Sequence, residues 1–416
     1  MSDPYRYPKL RYPVDMRLER LEGQEVLLLT CPLGIAPTPL CLVPAVGPII
    51  AAFEGHRSID EITQQFSPYG IKQELIRELA ALLDKHLFLA GPNFAAAEQS
   101  QKNTFRTSTT RPAALAGSGY PSIPEELARE IDGYLSIPQQ QISVASGKML
   151  GLVSPHIDYR RGGVAYGITY NQLRGEDHDL YIVIGTSHQY SKRKFHLTRK
   201  NFPTPLGVLP TDHEFVDGLA LRYGIERSYA DEFLHRREHS LELQLPFIHR
   251  ITTRPRMVPI LVGGFHEMVL AGKYPEQFEE YDAFASALTE GLKERLGTGQ
   301  RICIIAGVDM AHVGQSFGDE KKLTPEFMEE VRRRDLQYLD TIKERAKHRM
   351  FAHIAEDEDA RRICGFPTMY TVLDVLERLG IPFETRQFDY RQAVDYQREC
   401  AVTFAGLGLY LPHAAS

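Results

Sequence analysis

The chain has 416 residues, of which 43% are hydrophobic and 25% are charged, a composition typical of globular proteins with a large core. A chain of this length favours two or more domains. The formal net charge of -6 and the isoelectric point near 6.2 exclude a strong overall attraction to nucleic acid or to an anionic membrane.

Several features favour the cytoplasm. Residues 1–9 lack the apolar core of a signal peptide, and no uninterrupted apolar stretch reaches the ~20 residues that a membrane helix needs. The cysteines are scattered and none forms a Cys-x-x-Cys pair, which disfavours a zinc ribbon or a thioredoxin-like site. We therefore expect a cytoplasmic protein with no membrane segment and no nucleic-acid partner.

The first part of the chain, residues 20–91, is predicted as a small separate α+β unit. Glu25–Thr30 has the composition of a short strand. The segment Ser58-Ile-Asp-Glu61 is a capping box, which predicts the start of a helix. Apolar residues in Lys72–Asp84 recur at helical spacing and predict another helix, and His86–Ala90 is predicted to close the unit as a strand or wing.

Residues 92–115 are rich in Ala, Ser, Thr and Gln and contain almost no large apolar side chains. This composition predicts a flexible linker. The second domain is then expected to span residues 116–411, and Ile123–Leu135 is predicted as an amphipathic helix at its entry.

From Lys148 to Leu411, strand-like runs alternate with helical ones, which predicts an α/β fold with a layered central sheet flanked by helices. The predicted strands are Met149–Val153, Tyr181–Ile184, Met257–Val262, Ile302–Ile305, Phe383–Tyr390 and Ala401–Tyr410. The predicted helices are Gly163–Gln172, Glu214–Tyr223, Ser240–Thr252, Tyr281–Leu296, Pro325–Arg345 and Thr368–Leu379.

Three of these strands are followed directly by histidine or aspartate. In open α/β sheets, ligands bind at the carboxyl ends of the strands. A shared metal or acid–base site is therefore one interpretation, and the other is that these side chains only cap turns and helices by hydrogen bonding. The residues that follow the three strands are His156 with Asp158, His188, and Asp309 with His312.

Two further residues precede predicted helices. His239 lies in Glu238-His239-Ser240, where Glu238 or Ser240 is able to cap the helix, and the positive helix end would lower the pKa of the imidazole. Cys364 precedes Gly365 and Pro367, which mark a turn. A helix N-terminus and nearby cations would favour its thiolate, although free cysteines are most often small core residues.

The order and spacing of these motifs resemble the Memo family over roughly residues 110–411, and Ala116-Gly-Ser-Gly-Tyr120 resembles its opening. Bacterial and archaeal members are called AmmeMemoRadiSam system protein B and are associated with an AMMECR1-like protein and a radical SAM protein. The motifs are Pro155-His156-Ile-Asp-Tyr159, Gly185-Thr-Ser-His188, Glu238-His239-Ser240-Leu-Glu-Leu-Gln-Leu-Pro246, Asp309-Met-Ala-His312-Val-Gly314 and Ile363-Cys364-Gly365.

Residues 20–91 resemble a PqqD-like winged-helix domain, through the segments Phe53–Ile62 and Leu82–Leu89. Such domains often recognise peptides in radical-enzyme and peptide-modification systems, which fits the radical SAM association. The alternative is a helical docking domain without a peptide ligand.

The Memo resemblance implies the fold of class III extradiol, non-haem iron dioxygenases. It also implies an iron or copper ion at His156, His188 and Cys364, with Asp309 and His312 close by. Two imidazoles and one anionic ligand leave open positions on Fe(II), and a thiolate shifts the preference toward copper. In such a site, His239 and His312 are able to move protons or to bind a substrate oxygen, and Asp309 is a further acid–base candidate.

This chain departs from the common family pattern at two places. Ile157 and Asp158 replace the usual Ala-Gly after the first histidine, and Ala311 stands where relatives often carry cysteine. Asp158 is therefore an alternative anionic ligand to Cys364.

We expect a metal-dependent redox protein of dioxygenase-like architecture, linked to a radical SAM system and acting on a small molecule or peptide. One alternative is a non-catalytic adaptor that binds peptides or handles metal. Another is a hydrolase in which Asp309 or His239 acts as base toward a metal-activated water.

Overall fold

The computed structural model describes residues 4–137, 147–176 and 178–412. The chain divides into two compact units, Met1–Ser108 and Thr109–Ser416. No helix in the described ranges is both long enough and apolar enough to span a membrane.

The first unit contains a three-stranded antiparallel sheet in the order β1-β2-β3, packed with helices around one hydrophobic core. The predicted capping box is present, since the Ser58 hydroxyl accepts from Glu61 N and the Glu61 carboxylate accepts from Ser58 N at 2.7 Å. The strands are β1 (Asp15–Leu21), β2 (Gln24–Thr30) and β3 (Leu40–Leu42). The helices are α1 (Gly47–Ala51), α2 (Ile59–Phe66), α3 (Gln73–Lys85) and α4 (Pro92–Thr107).

The prediction of a flexible linker at residues 92–115 is wrong over α4. Pro92 takes the first turn of this helix, where its missing N–H costs no hydrogen bond. Within the unit, Gln101 Nε2 donates to Ile35 O at 3.1 Å, and the Arg11 guanidinium lies 4.6 Å from the centre of the Phe94 ring. A helix rich in Ala and Gln needs few large apolar residues, so their scarcity does not indicate disorder.

Two other features of this unit differ from what the sequence predicted. The strand or wing predicted at His86–Ala90 is reduced to a bridge between Leu10 and Leu89. The edge strand β1 was not predicted, because most of its residues are charged and exposed.

The second unit has an eight-stranded sheet in the order β11-β13-β4-β10-β5-β9-β6, with β12 also paired to β13. The neighbours β4, β10, β5 and β9 are parallel, and the outer pairs are antiparallel. Its strands are β4 (Met149–Ser154), β5 (Leu180–Thr186), β6 (Phe195–Leu197), β9 (Met257–Val262), β10 (Ile302–Gly307), β11 (His312–Val313), β12 (Glu384–Asp395) and β13 (Cys400–Tyr410), and β7 (Phe202–Thr204) pairs separately with β8 (Gly207–Leu209).

Helices cover both faces of this sheet. In β5, Ile182 and Ile184 enter one core with α7, α12 and α15, whereas Tyr181 and Val183 enter a second core with α5, α6 and α10. The helices are α5 (Pro124–Leu135), α6 (Tyr159–Asn171), α7 (His213–Tyr223), α8 (Ile225–Tyr229), α9 (His239–Glu242), α10 (Leu245–Ile251), α11 (His266–Leu270), α12 (Glu279–Gly297), α13 (Pro325–Lys343), α14 (Lys347–Ala355) and α15 (Phe366–Arg378).

The predicted α/β fold, with a central sheet between helical layers and a small unit containing a sheet before it, is confirmed. One predicted helix, Ser240–Thr252, is in fact two short helices, α9 and α10. Pro246 lies in the first turn of α10, where its missing N–H is tolerated but where it cannot continue a helix from α9.

Deletion of residues 1–108 is expected to leave the second unit folded, because each unit has a hydrophobic core of its own. Circular dichroism should show one cooperative thermal transition for the truncated protein, and its metal uptake should match that of the full chain. Aggregation with loss of cooperative melting would show that the cores depend on each other.

Candidate metal centre

Three neighbouring parallel strands, β4, β10 and β5, end at one level of the sheet. In the register of the ladders, Gly307 of β10 pairs with Ser154 of β4 and with Gly185 of β5. The carboxyl ends of these strands therefore form one edge, as the sequence predicted for a ligand site. The residues that follow them within three positions are His156, Asp309 and His188.

Glycine at two of these strand ends lets the segment 238–244 pack directly on the sheet. A Cβ atom at Gly307 would lie 2.5 Å from Ser240 O, and one at Gly185 would lie 2.4 Å from Ser240 Oγ. Any larger residue would push α9 away. The close approach brings His239, the first residue of α9, to the edge of the sheet.

His156, His188 and His239 form a compact cluster. The ring centres of His188 and His239 are 4.4 Å apart. The ring centre of His156 lies 4.9 Å from that of His188 and 5.3 Å from that of His239. One nitrogen of each ring lies within 4.8 Å of the others, so the three are able to hold one metal ion.

Hydrogen bonds fix the orientation of the rings. His156 Nδ1 donates to Gly307 O at 2.9 Å, and His188 Nδ1 donates to Glu238 Oε1 at 2.9 Å. His312 Nδ1 is 3.0 Å from Met310 O. With Nδ1 bound to an acceptor, each ring presents Nε2, which is the arrangement found for metal-bound histidine.

Glu238 contacts the cluster through both of its carboxylate oxygens. Its Oε1 also accepts from Ser240 N at 3.1 Å and lies 3.3 Å from His239 Nδ1. Its Oε2 accepts from His188 N at 2.9 Å. One buried carboxylate thus contacts two of the three imidazoles, a role that the sequence analysis had not assigned beyond a helix cap.

Cys364 joins the cluster from the turn before α15. Its Sγ lies 3.3 Å from His156 Nε2. The turn is held in place because Cys364 O accepts from Thr186 Oγ1 at 3.0 Å and Gly365 N donates to Asp309 O at 3.1 Å. A Cβ at position 365 would lie 2.5 Å from Asp309 O, so glycine is needed for this approach.

Asp309 and His312 complete the site. Asp309 is buried, its Oδ1 accepts from His156 N at 2.9 Å, and its Oδ2 lies 3.7 Å from His156 Nε2. His312 lines a cleft of about 420 Å³ together with Asp309 and the three clustered histidines. All six predicted site residues are therefore brought together.

Asp158, the alternative anionic ligand, has a different environment. Its carboxylate caps α6 by accepting from Arg161 N at 3.2 Å and pairs with Arg161 Nε at 2.6 Å. It lies at the rim of the cleft and does not belong to the three-histidine group.

The clustered histidines differ in the direction in which their pKa values are shifted. Burial, with His188 and His239 as neighbours, lowers the pKa of His156 well below its usual value. Burial opposes a charge on His188, but the Glu238 carboxylate and Cys364 raise its pKa well above the usual value. Burial lowers the pKa of His239 to about 4 and raises that of Asp309 to about 7. Burial also raises the pKa of the Cys364 thiol.

A buried ion pair next to the cluster was not predicted from the sequence. Arg111 and Glu242 pair with each other, each only 1% exposed. Arg111 Nη1 also donates to Glu238 O at 2.9 Å, and Glu242 Oε1 accepts from Tyr120 Oη at 2.6 Å and from Leu115 N at 2.8 Å. The available sign in the sequence was Glu242, a carboxylate between Leu241 and Leu243.

Comparison with known proteins gives consistent matches. The family model described as Memo-like protein matches residues 111–408. A MEMO1 family protein of Aquifex aeolicus is 25% identical over 382 residues, covering 91% of this chain and 94% of that protein. MEMO1 family protein TTHA0924 of Thermus thermophilus is 28% identical over 330 residues, covering 78% and 92%. A MEMO1 family protein of Methanosarcina mazei is 27% identical over 275 residues, covering 65% and 87%.

The Aquifex match extends over so much of the chain that it includes much of the first unit. The family model spans every residue of the histidine cluster, together with Cys364, Asp309 and His312. The chain therefore belongs to the Memo-like protein family.

Proposed function

We propose that this protein is a metal-dependent redox protein that binds one iron or copper ion through His156, His188 and Cys364. The observation that carries the proposal is the convergence of two Nε2 atoms, both fixed through Nδ1, with a thiol 3.3 Å from one of them. A bound iron or copper ion would supply redox chemistry, and three protein ligands leave positions open for oxygen and substrate.

The surrounding residues have the properties of proton carriers. A histidine with a pKa lowered to about 4 is neutral near pH 7, so His239 and His312 are able to accept a proton from a bound substrate. Asp309, with a pKa raised to about 7, is able both to take and to give a proton near neutral pH. Asp309 is buried, whereas His239 and His312 are half-buried and line the cleft, so all three are placed next to a bound substrate.

A second candidate is metal-dependent hydrolysis. It is favoured by the three-histidine group, because three protein ligands and an open position for water are typical of catalytic zinc sites. In that case His239 replaces Cys364 as the third ligand, and Asp309 acts as the base toward a bound water.

We also propose, from the resemblance to a PqqD-like domain, that the first unit binds a peptide or a partner protein of a radical SAM system. The extent of the Aquifex match supports treating this unit as a shared part of the protein.

Metal analysis of protein purified without oxygen tests the centre itself. Wild-type protein is expected to hold close to one equivalent of iron or copper, and Cys364→Ser should lose affinity for Cu(I) more than for Fe(II), because the thiolate is the soft ligand. Cys31→Ser, which removes a half-buried thiol from the first unit, is the control and should behave as wild type. Unchanged Cu(I) affinity in Cys364→Ser would show that the thiol is not a ligand of the metal. Oxygen uptake with candidate substrates then separates redox chemistry from hydrolysis.

Proton release on metal binding should distinguish the two ligand sets. The raised pKa values favour the protonated forms of His188 and Cys364, so binding through His156, His188 and Cys364 should release protons from both side chains. Affinity should therefore rise with pH. Calorimetry in buffers of different ionisation enthalpy should find about one proton fewer for Cys364→Ser. An equal count in both proteins would favour His239 as the third ligand.

A further inference from the structure

A second, larger groove lies next to the cleft that holds the histidine cluster. This groove, of about 810 Å³, lies between the start of α6 and the hairpin of β12 and β13. Asp158, Arg161 and Cys400 line both spaces, so the groove borders the cleft. Both volumes are in the range of small-molecule sites.

The groove carries more positive than negative charge. Its lining contains Arg160, Arg161 and Arg398 against Asp158 and Asp395. Arg398 Nε lies 3.9 Å from Asp395 Oδ2, a loose contact, and the Asp395 Oδ1 atom is occupied by backbone N–H groups of the hairpin turn. The Arg160 side chain makes no hydrogen bond or ion pair with any residue that the structure describes.

Arg161 is placed where the groove meets the cleft. Asp158 holds its Nε at 2.6 Å, while Nη1 and Nη2 have no partner within the described parts of the chain. Those nitrogens form the planar fork that binds a carboxylate or phosphate through two parallel hydrogen bonds. Arg161 and Arg398 line the same groove as Cys400.

We propose that the groove binds the anionic end, a carboxylate or phosphate group, of an elongated substrate whose other end reaches the histidine cluster. Arg161, with Arg398 and Arg160 beyond it, would hold the anion. Ala393, Val394 and Tyr396 supply an apolar wall for the part of the substrate between its two ends. The inference rests on the proposed metal site and adds the substrate class that this site accepts.

Hydroxamates provide a direct test, because one end binds metal and the other can be varied. Monohydroxamates of dicarboxylic acids, in a series of increasing chain length, would be titrated into Zn(II)-loaded full-length protein by calorimetry. Each is compared with the neutral alkyl hydroxamate of the same length and with the matching phosphonate. At the best length, the anionic compound is expected to bind about tenfold more tightly than the neutral one. The carboxylate and phosphonate arms identify which anion is preferred.

Variants of the groove arginines test whether these residues produce the preference for the anionic hydroxamates. Arg161→Gln and Arg398→Gln should reduce the tenfold preference toward one while leaving the affinity for the neutral hydroxamates unchanged. Arg161→Lys should restore part of it, since charge remains but the fork is lost. Arg222→Gln is the matched control, because Arg222 is also exposed and ion-paired but lies on α7. The absence of any preference in wild type, or a preference that survives in both groove variants, would overturn the proposal.

Failure of the metal site would be recognised separately. If neutral hydroxamates do not bind to the zinc-treated protein, the proposed centre is wrong, and glutarate and inorganic phosphate are titrated into untreated protein instead. Binding that is weakened about tenfold by Arg161→Gln would still support the groove. Absence of binding, or binding equal in wild type and Arg161→Gln, would refute it.

Discussion

Replacing Glu238 by glutamine is expected to lower the metal affinity of the protein about 10- to 100-fold. The carboxylate accepts from His188 Nδ1 and His188 N through different oxygens and also lies next to His239 Nδ1. An amide has only one oxygen, so its NH₂ group must face one of these donors, and the negative charge is lost. His188 would then lose the partner that holds its ring with Nε2 toward the cluster.

The measurement is competition for Zn(II) or Fe(II) against a chromophoric chelator. Glu280→Gln is a suitable control, because Glu280 likewise accepts from a backbone N–H, of Lys194 at 2.9 Å, and from a side-chain donor, Tyr223 at 2.9 Å, but takes no part in the site. Affinity within about threefold of wild type in Glu238→Gln would mean that the carboxylate does not orient a ligand.

The second large effect concerns stability. Glu242→Ala should lower the free energy of unfolding of the second unit by about 3–5 kcal/mol, because it leaves the buried Arg111 charge without its partner. The same change removes the acceptor of Leu115 N and Tyr120 Oη. Urea denaturation followed by circular dichroism measures the change.

A double variant makes this prediction specific. Arg111→Met combined with Glu242→Leu should be less destabilised than Glu242→Ala alone, since no unpaired charge remains in the core. Glu330→Ala, which removes an exposed ion pair with Arg333, should change stability by at most about 0.5 kcal/mol. A loss below about 1 kcal/mol in Glu242→Ala would show that water reaches Arg111.

The central strands could be predicted from sequence because they are buried on both faces. Met149–Ser154 and Met257–Val262 are buried at every position, and residues 149–153 and 257–262 are uninterrupted apolar runs. The structure differs where local composition is ambiguous. The helix α4 has few apolar residues, and β1 alternates charge with little burial, so neither produced a clear hydrophobic pattern.

The convergence of the site was predictable for a related reason. His156, His188 and Asp309 follow strands, and parallel neighbours end at the same edge. The hydrogen-bond and ion-pair partners around the site were not predictable, because the residues that meet there are far apart in the sequence. Glu238 meets His188 from 50 positions away, and Arg111 meets Glu242 from 131 positions away. No local pattern encodes which of many acidic residues will make such a contact.

The position of the site-bearing strands has a consequence for how metal enters and leaves. Because β4, β10 and β5 lie side by side in the middle of the sheet, with further strands on both flanks, their ends belong to the part of the molecule that opens last. Fraying of an edge strand such as β6 or β12, which carry no residue of the site, leaves His156 and His188 in place. An ion held at the proposed centre would therefore exchange through the cleft rather than by fraying of these edge strands.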